Sequence, residues 1–298
     1  MLPHTDPPGR QVHISHGTLI EMTAVAATSL GFRTEVDVLP DGAMSIPEFG
    51  TKPTATVRLV TEPGLQVDPL FSQILERRSS RLAHQGPPLA DQERAHIERN
   101  AHFPGVEVGW IPEDQLARVL EIAVQAMTIE VEDEDRDLYD ETRIWFRFSD
   151  REIAEKGDGL HADTVGLSGL SLALGRRFIN DGNWHKPYNR GPYLKGFRRS
   201  VSATTALLTL TTATNTMRDW ITTGRAYVRA QLSAGSFGLR FQPISQVLQE
   251  FPQMDQLRTE MEQLVGITAP AKLQMLVRAG RTTPALSPRR DLRAIIQQ

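Results

Sequence analysis

TALLTLTTATNTMRDWITTGRAYVRAQLSA, residues 205–234, sets a strand directly before a helix. Residues 205–212 are threonines and leucines around a single alanine, a composition that favours a buried strand. Met217, Trp220, Ile221, Gly224, Tyr227, Val228 and Leu232 then recur at helical spacing and predict a long helix over 217–234. Downstream, the pattern predicts a helix over 252–265 and a strand over 273–277. Upstream, Val106, Val108 and Trp110 alternate as a strand. Pro112 then opens a helix whose apolar face is Leu116, Val119, Leu120, Ala123 and Met127. Further helices are expected over 17–30, 68–78 and 90–101, and strands over 33–39 and 55–60. Isolated strands separated by helices fit an α+β fold better than an alternating βαβ series.

Two stretches resist this reading. Residues 150–199 are rich in Gly, Asn, Pro and aromatics without a period, as in a functional loop or lid. A short buried helix is expected inside it at 167–174. The acidic run 130–137 reads as a solvated helix face.

Composition narrows the function. The 298 residues are 40% hydrophobic and 23% charged, enough for one large domain or two half-domains with a sizeable core. A net charge of -3 leaves no basic footprint for nucleic acid. The absence of cysteine excludes disulfides, a thiol nucleophile and Cys-ligated metal or iron–sulfur sites. No apolar run reaches the roughly 18 residues of a membrane span. The N-terminal residues carry no basic segment followed by an apolar one, so the expected location is the cytoplasm.

Phosphate-loop, dinucleotide-fingerprint, nucleophile-elbow and zinc-helix motifs are all missing. His13 and His16 stand three apart in what reads as a strand or turn. With no third ligand nearby, an ordinary packing or surface role is expected and no metal site. Two basic clusters remain: Arg77-Arg78-Ser79-Ser80-Arg81, and Arg289-Arg290 after Ser287-Pro288. Arginines around serines make a good phosphate cradle, because guanidinium groups bind phosphate oxygens two at a time. Spacing alone fits equally a surface cluster complementing a helix C-terminus.

The order of these segments resembles the nitroreductase superfamily, in particular its Acg-like flavin-binding branch of fused, pseudo-dimeric proteins. In that family a helix ends in an RRSxR-like motif whose first Arg, Ser and last basic residue contact FMN. The motif falls here on Arg77, Ser79 and Arg81, with Arg78 between them. The family's proline segment, usually Pro-Ile-Glu-Gly, lies over the isoalloxazine ring. It matches Pro243-Ile244-Ser245-Gln246, with Ser and Gln in place of Glu and Gly. The closing strand followed by basic residues that reach the FMN phosphate matches residues 273–280 and Arg289-Arg290. Residues 6–31 resemble the latter part of the branch's N-terminal half, and its Ser-x-Asn-x-Gln-Pro-Trp-like segment is not in this sequence.

The resemblance implies a central, mainly antiparallel sheet wrapped by helices. Residues 1–66 would be a truncated N-terminal half, residues 67–298 the FMN-binding domain, and 150–199 its lid. It implies an FMN-dependent oxidoreductase that takes electrons from NAD(P)H and passes them to a nitroaromatic, quinone or similar small acceptor. The cofactor carries that chemistry, so no side chain is named as catalytic. The chain would be a pseudo-dimeric monomer or a homodimer, with no membrane partner. Two alternatives stay open: a protein that stores or sequesters FMN with little turnover, and a scaffold that binds no flavin.

Overall fold

The computed structural model describes residues 2–132, 137–167, 169–184, 186–283, 286–294 and 296. Helix α1 (Arg10–Thr28) is followed by a two-stranded antiparallel hairpin, β1 (Phe32–Val38) and β2 (Ala55–Thr61). Then come α2 (Asp91–Ala101), β3 (Val106–Trp110), α3 (Glu113–Glu132), α4 (Asp137–Arg143), α5 (Asp150–Lys156), α6 (Gly169–Phe178) and α7 (Pro187–Ser202). The chain continues with β4 (Leu207–Thr212), α8 (Met217–Gly235), β5 (Leu239–Pro243), α9 (Asp255–Leu264) and β6 (Lys272–Arg281). The main sheet has the order β3-β4-β6-β5 with antiparallel pairing throughout, so the class is α+β as the sequence predicts.

β4 and β6 are central and covered on both faces, so both are buried nearly throughout. Leu208, Leu210, Met275 and Val277 join one core with α1 and α8. Leu207, Leu273 and Leu276 join a second core with α3, α7 and α9. Each fully buried leucine contributes roughly 1.5–3 kcal/mol. α8 begins with Thr216, whose Oγ1 accepts from the Asp219 N–H at 3.3 Å while the Asp219 carboxylate accepts from the Thr216 N–H at 2.8 Å. Residues 1–66 are not packed apart from the rest: Ile14, Ile20, Val38 and Met44 share the first core with the main sheet.

Five local expectations are corrected. Residues 68–78 form no helix but a single 3-10 turn at Phe71–Gln73. Only Leu70 and Ile74 find apolar partners there, while Leu75 is 81% exposed, so no packed face supports a helix. Residues 150–199 are largely helical, as α5, α6 and α7. The short helix within that stretch is α6, and it is not buried: Leu170 is 76% exposed. His13 and His16 lie on α1, where His13 packs against Phe49 and Trp220 and its Nδ1 is 2.7 Å from the Gly9 carbonyl. Of the acidic run, residues 133–136 lie outside the described residues, and Glu130 is buried rather than solvated. Among the described residues no helix is long and apolar enough to cross a membrane.

Candidate functional site

The arginine–serine loop is held to the edge of the main sheet. Ser79 bridges in parallel to Phe241 on β5, and the Ser80 N–H donates to the Phe241 carbonyl at 3.1 Å. Five residues on, the Gln85 N–H donates to the Arg281 carbonyl of β6 at 2.9 Å. Residues 79–85 therefore run past the outer corner of the sheet, and their side chains are fixed by α8 on one side and α7 on the other.

α8 supplies the first contact. Gln231, one helical turn beyond Tyr227, is buried and sits between two loop residues. Its Oε1 accepts from Arg77 Nη1 at 3.2 Å, and its Nε2 donates to Ser79 Oγ at 3.3 Å. Arg77 Nε is buried without a hydrogen-bond partner. Burial lowers the Arg77 pKa first of all, and the like charges of Arg289 and Arg78 push it the same way. Among the described residues no carboxylate pairs with Arg77, Arg81 or Arg289. Arg289 is an exposed residue near the end of the described chain, donating to the Pro288 carbonyl.

Arg81 turns the other way. Its Nη1 donates to the Thr164 carbonyl at 3.1 Å, and its charge is desolvated. Tyr193 and Tyr227 both feel the Arg81 charge. Burial raises the Tyr193 pKa to about 12, with the neighbouring Glu130 acting in the same direction and Arg81 opposing. Burial likewise raises the Glu130 carboxyl to about 7, against hydrogen bonds from Thr142, Gln249 and Gln246.

The proline segment is where β5 ends. Pro243 is paired to Val277, the Ile244 N–H donates to the Leu276 carbonyl at 2.9 Å, and the Ile244 side chain is sunk in the second core. Ser245 and Gln246 then turn into a 3-10 segment, with the Leu248 N–H donating to the Ser245 carbonyl at 2.9 Å. Arg77 and Ser79 share Gln231, and Arg81 lies two residues further on the same loop, whereas Arg289 acts on Arg77 through its charge and Gln246 makes no contact with the loop among the described residues. Arg78 is turned back on its own loop, donating to the Arg77 carbonyl at 2.8 Å. Arg290 is engaged elsewhere: its guanidinium pairs with Asp158, which also pairs with Arg147 at 2.6 Å. Of the two tail arginines, only Arg289 is left for an anion.

Sequence reasoning overlooked several residues of this corner. Arg278, in the middle of apolar β6, is fully buried and spends its donors on neutral acceptors. It donates to Thr204 Oγ1 at 2.5 Å, to Ser200 Oγ at 3.0 Å, to the Ser200 carbonyl at 2.6 Å, to Gln242 Oε1 and to the Leu82 carbonyl. Burial lowers its pKa to about 10. A lone charge inside a strand run was the available signal. The His84 ring lies over Gly280, where a Cβ would come within 2.3 Å of Nδ1. Both His84 nitrogens are buried without partners, and burial, then the Arg278 charge, depresses its pKa to about 3.

Behind the loop lies a cavity of about 640 Å³, bounded by Leu82, α6 and α7. It shares a wall with the loop: Ser200 Oγ donates to the Arg81 carbonyl at 2.5 Å, and a Cβ on Gly166 would come within 2.7 Å of that same oxygen.

No protein-family model matches the chain, and no curated protein matches it in sequence. Solved structures do resemble it. A nitroreductase from Bacteroides fragilis with bound FMN is 13% identical over 78% of this chain and 98% of its own, with a TM-score of 0.44. The FMN and NADPH-dependent nitroreductase NfnB from Sphigopyxis sp. strain HMH is 12% identical over 77% and 98%, with a TM-score of 0.49. The NADPH:FMN oxidoreductase from Vibrio harveyi, complexed with NAD+, is 11% identical over 78% and 77%, with a TM-score of 0.42.

Proposed function

We propose that this chain binds FMN and works as an FMN-dependent oxidoreductase, with Arg77, Ser79 and Arg289 holding the phosphate and Arg81 and the Pro243–Gln246 turn facing the rest of the cofactor. The observation that carries this reading is Arg77 itself: among the described residues its guanidinium has no carboxylate, its Nε is buried without a partner, and the like charge of Arg289 acts on it. Buried positive charge without a counter-ion is costly, and a phosphate dianion offsets that cost with charge-assisted hydrogen bonds. These residues fit a phosphate group, and the arrangement of motifs along the sequence is what selects FMN among phosphate-bearing cofactors.

When bound, FMN supplies the capacity to take up hydride and to hand on electrons. The protein's part is positional. Gln231 orients Arg77 and Ser79 together, so one helix sets both phosphate contacts. Arg278 fixes Leu82 and Ser200, and with them the wall between the loop and the cavity. NAD(P)H as donor and a nitroaromatic or quinone as acceptor complete the proposal.

Titration of the purified chain with FMN, followed by quenching of flavin fluorescence, tests cofactor binding. Saturable binding in the micromolar range or tighter is expected, and a protein that leaves FMN fluorescence unchanged overturns it. Anaerobic NADPH or NADH then separates turnover from storage: loss of the visible flavin absorbance marks the oxidoreductase, and persistence marks a sequestering protein.

A further inference from the structure

The cavity behind the arginine loop has a character of its own. Phe146 and Trp184 stack with ring centroids 4.5 Å apart on one side, and Ile179, Leu174 and Phe178 cover the other. Leu174 and Phe178 are 48% and 61% exposed although they face this space, so α6 spreads apolar surface over a cavity that no described residue fills. At about 640 Å³ it lies in the range of small-molecule sites.

Its charges are one-sided. Lys195 and Arg199, four apart on α7, both line it, and among the described residues no carboxylate does. Three arginines in this part of the chain are neutralised by aspartates: Arg143 by Asp181, Arg147 by Asp158 and Arg176 by Asp163. Lys195 and Arg199 have no ion-pair partner among the described residues. An apolar hollow flanked by two unpaired cations at i, i+4 is matched by a ligand with an apolar body and one acidic end.

We propose that the cavity binds a small, mainly apolar molecule carrying a single anionic group, its body against Phe146, Trp184 and α6 and its charge at Lys195 and Arg199. None of the residues assigned to FMN lines this space, and binding there requires no flavin. The site can therefore be tested whatever the outcome of the FMN titration.

The probes are 1-pyrenebutyrate and the uncharged 1-pyrenebutanol, followed by energy transfer from tryptophan to pyrene. The wild-type chain should bind the acid about tenfold more tightly than the alcohol, the worth of one charge-assisted contact. K195Q/R199Q should bring the two affinities level while keeping that for the alcohol, and L174W should weaken both by narrowing the cavity. Lys195 and Arg199 are exposed, so their replacement leaves folding intact, which circular dichroism checks. Equal affinity for the two probes in the wild-type chain, an acid preference that survives K195Q/R199Q, or binding untouched by L174W would each overturn the proposal.

Discussion

Gly17 of α1 and Gly224 of α8 meet where the two helices cross, each against the backbone of the other helix. A Cβ on Gly17 would lie 2.0 Å from the Ile221 carbonyl oxygen, and one on Gly224 would lie 1.9 Å from that of Ile14. Nothing flexible stands at either point, so the helices themselves would have to part. The crossing holds residues 1–66 to the core helix whose Tyr227 and Gln231 face the arginine loop.

Gly224→Ala and Gly17→Ala should therefore each destabilise the fold by about 1–3 kcal/mol, the usual cost of overpacking. Urea unfolding measures this, with a lowered midpoint as the result. The same substitution at Gly191, where no heavy atom lies within 4 Å of the added Cβ, serves as the control.

Arg77→Ala and Arg289→Ala should each weaken FMN binding by roughly 10-fold or more, corresponding to about 1.5–3 kcal/mol for a lost charge-assisted hydrogen bond. Arg290→Ala should have the smaller effect, because Asp158 already holds that side chain. Equilibrium dialysis ranks the three. An Arg290 variant weaker than the Arg289 one would reverse the assignment within the tail.

Glu130 gives the fold a pH dependence whose sign can be worked out. Its carboxyl titrates near 7 in the folded chain against an ordinary 4.5, so the folded state holds a proton that the unfolded state releases. That contribution is complete below about pH 4.5 and is lost as pH rises towards 7, at most about 3 kcal/mol by linkage. Glu130→Gln should flatten this part of the stability profile and raise stability at pH 8. Thermal melts of both proteins between pH 4.5 and 8 check it, and parallel profiles would refute it.

Glu21 is buried between two arginines of α8: Arg225 lies 2.9 Å and Arg229 3.1 Å from its oxygens, and Asp68 also pairs with Arg229 at 2.8 Å. Removing the carboxylate leaves the half-buried Arg225 without its partner, while Arg229 keeps Asp68. Glu21→Gln should cost about 1.5–3 kcal/mol, and the combined replacement with Arg225→Gln should recover part of that. A double-mutant cycle in urea reads the difference.

Where local spacing and burial agree, the elements were legible. The strand over 205–212 and the helix over 217–234 appear as β4 and α8 nearly residue for residue, because a β-favouring Thr/Leu run and one helical stripe each match a buried element. The helix expected over 68–78 failed for the opposite reason. Its Asp68 carboxylate turns to Arg229 and to the Leu70 N–H, and the chain just beyond it is drawn to the sheet by the Ser80–Phe241 hydrogen bond, so Arg229 and Phe241, both outside the segment, decide its path. Glu130 was misread with the acidic run, although it follows Met127 on the apolar stripe of α3 and is buried there.

Composition, strand and helix order, and the two arginine clusters were determined by the sequence alone, since each depends on neighbours within a few residues or on counting. The claim of Asp158 on Arg290 rather than Arg289, the inward turn of Gln231 and the cavity behind Leu82 were decided only by the tertiary structure. They join segments up to 154 residues apart in the chain, Arg77 to Gln231, and no local period encodes which of two adjacent arginines an aspartate such as Asp158 will claim.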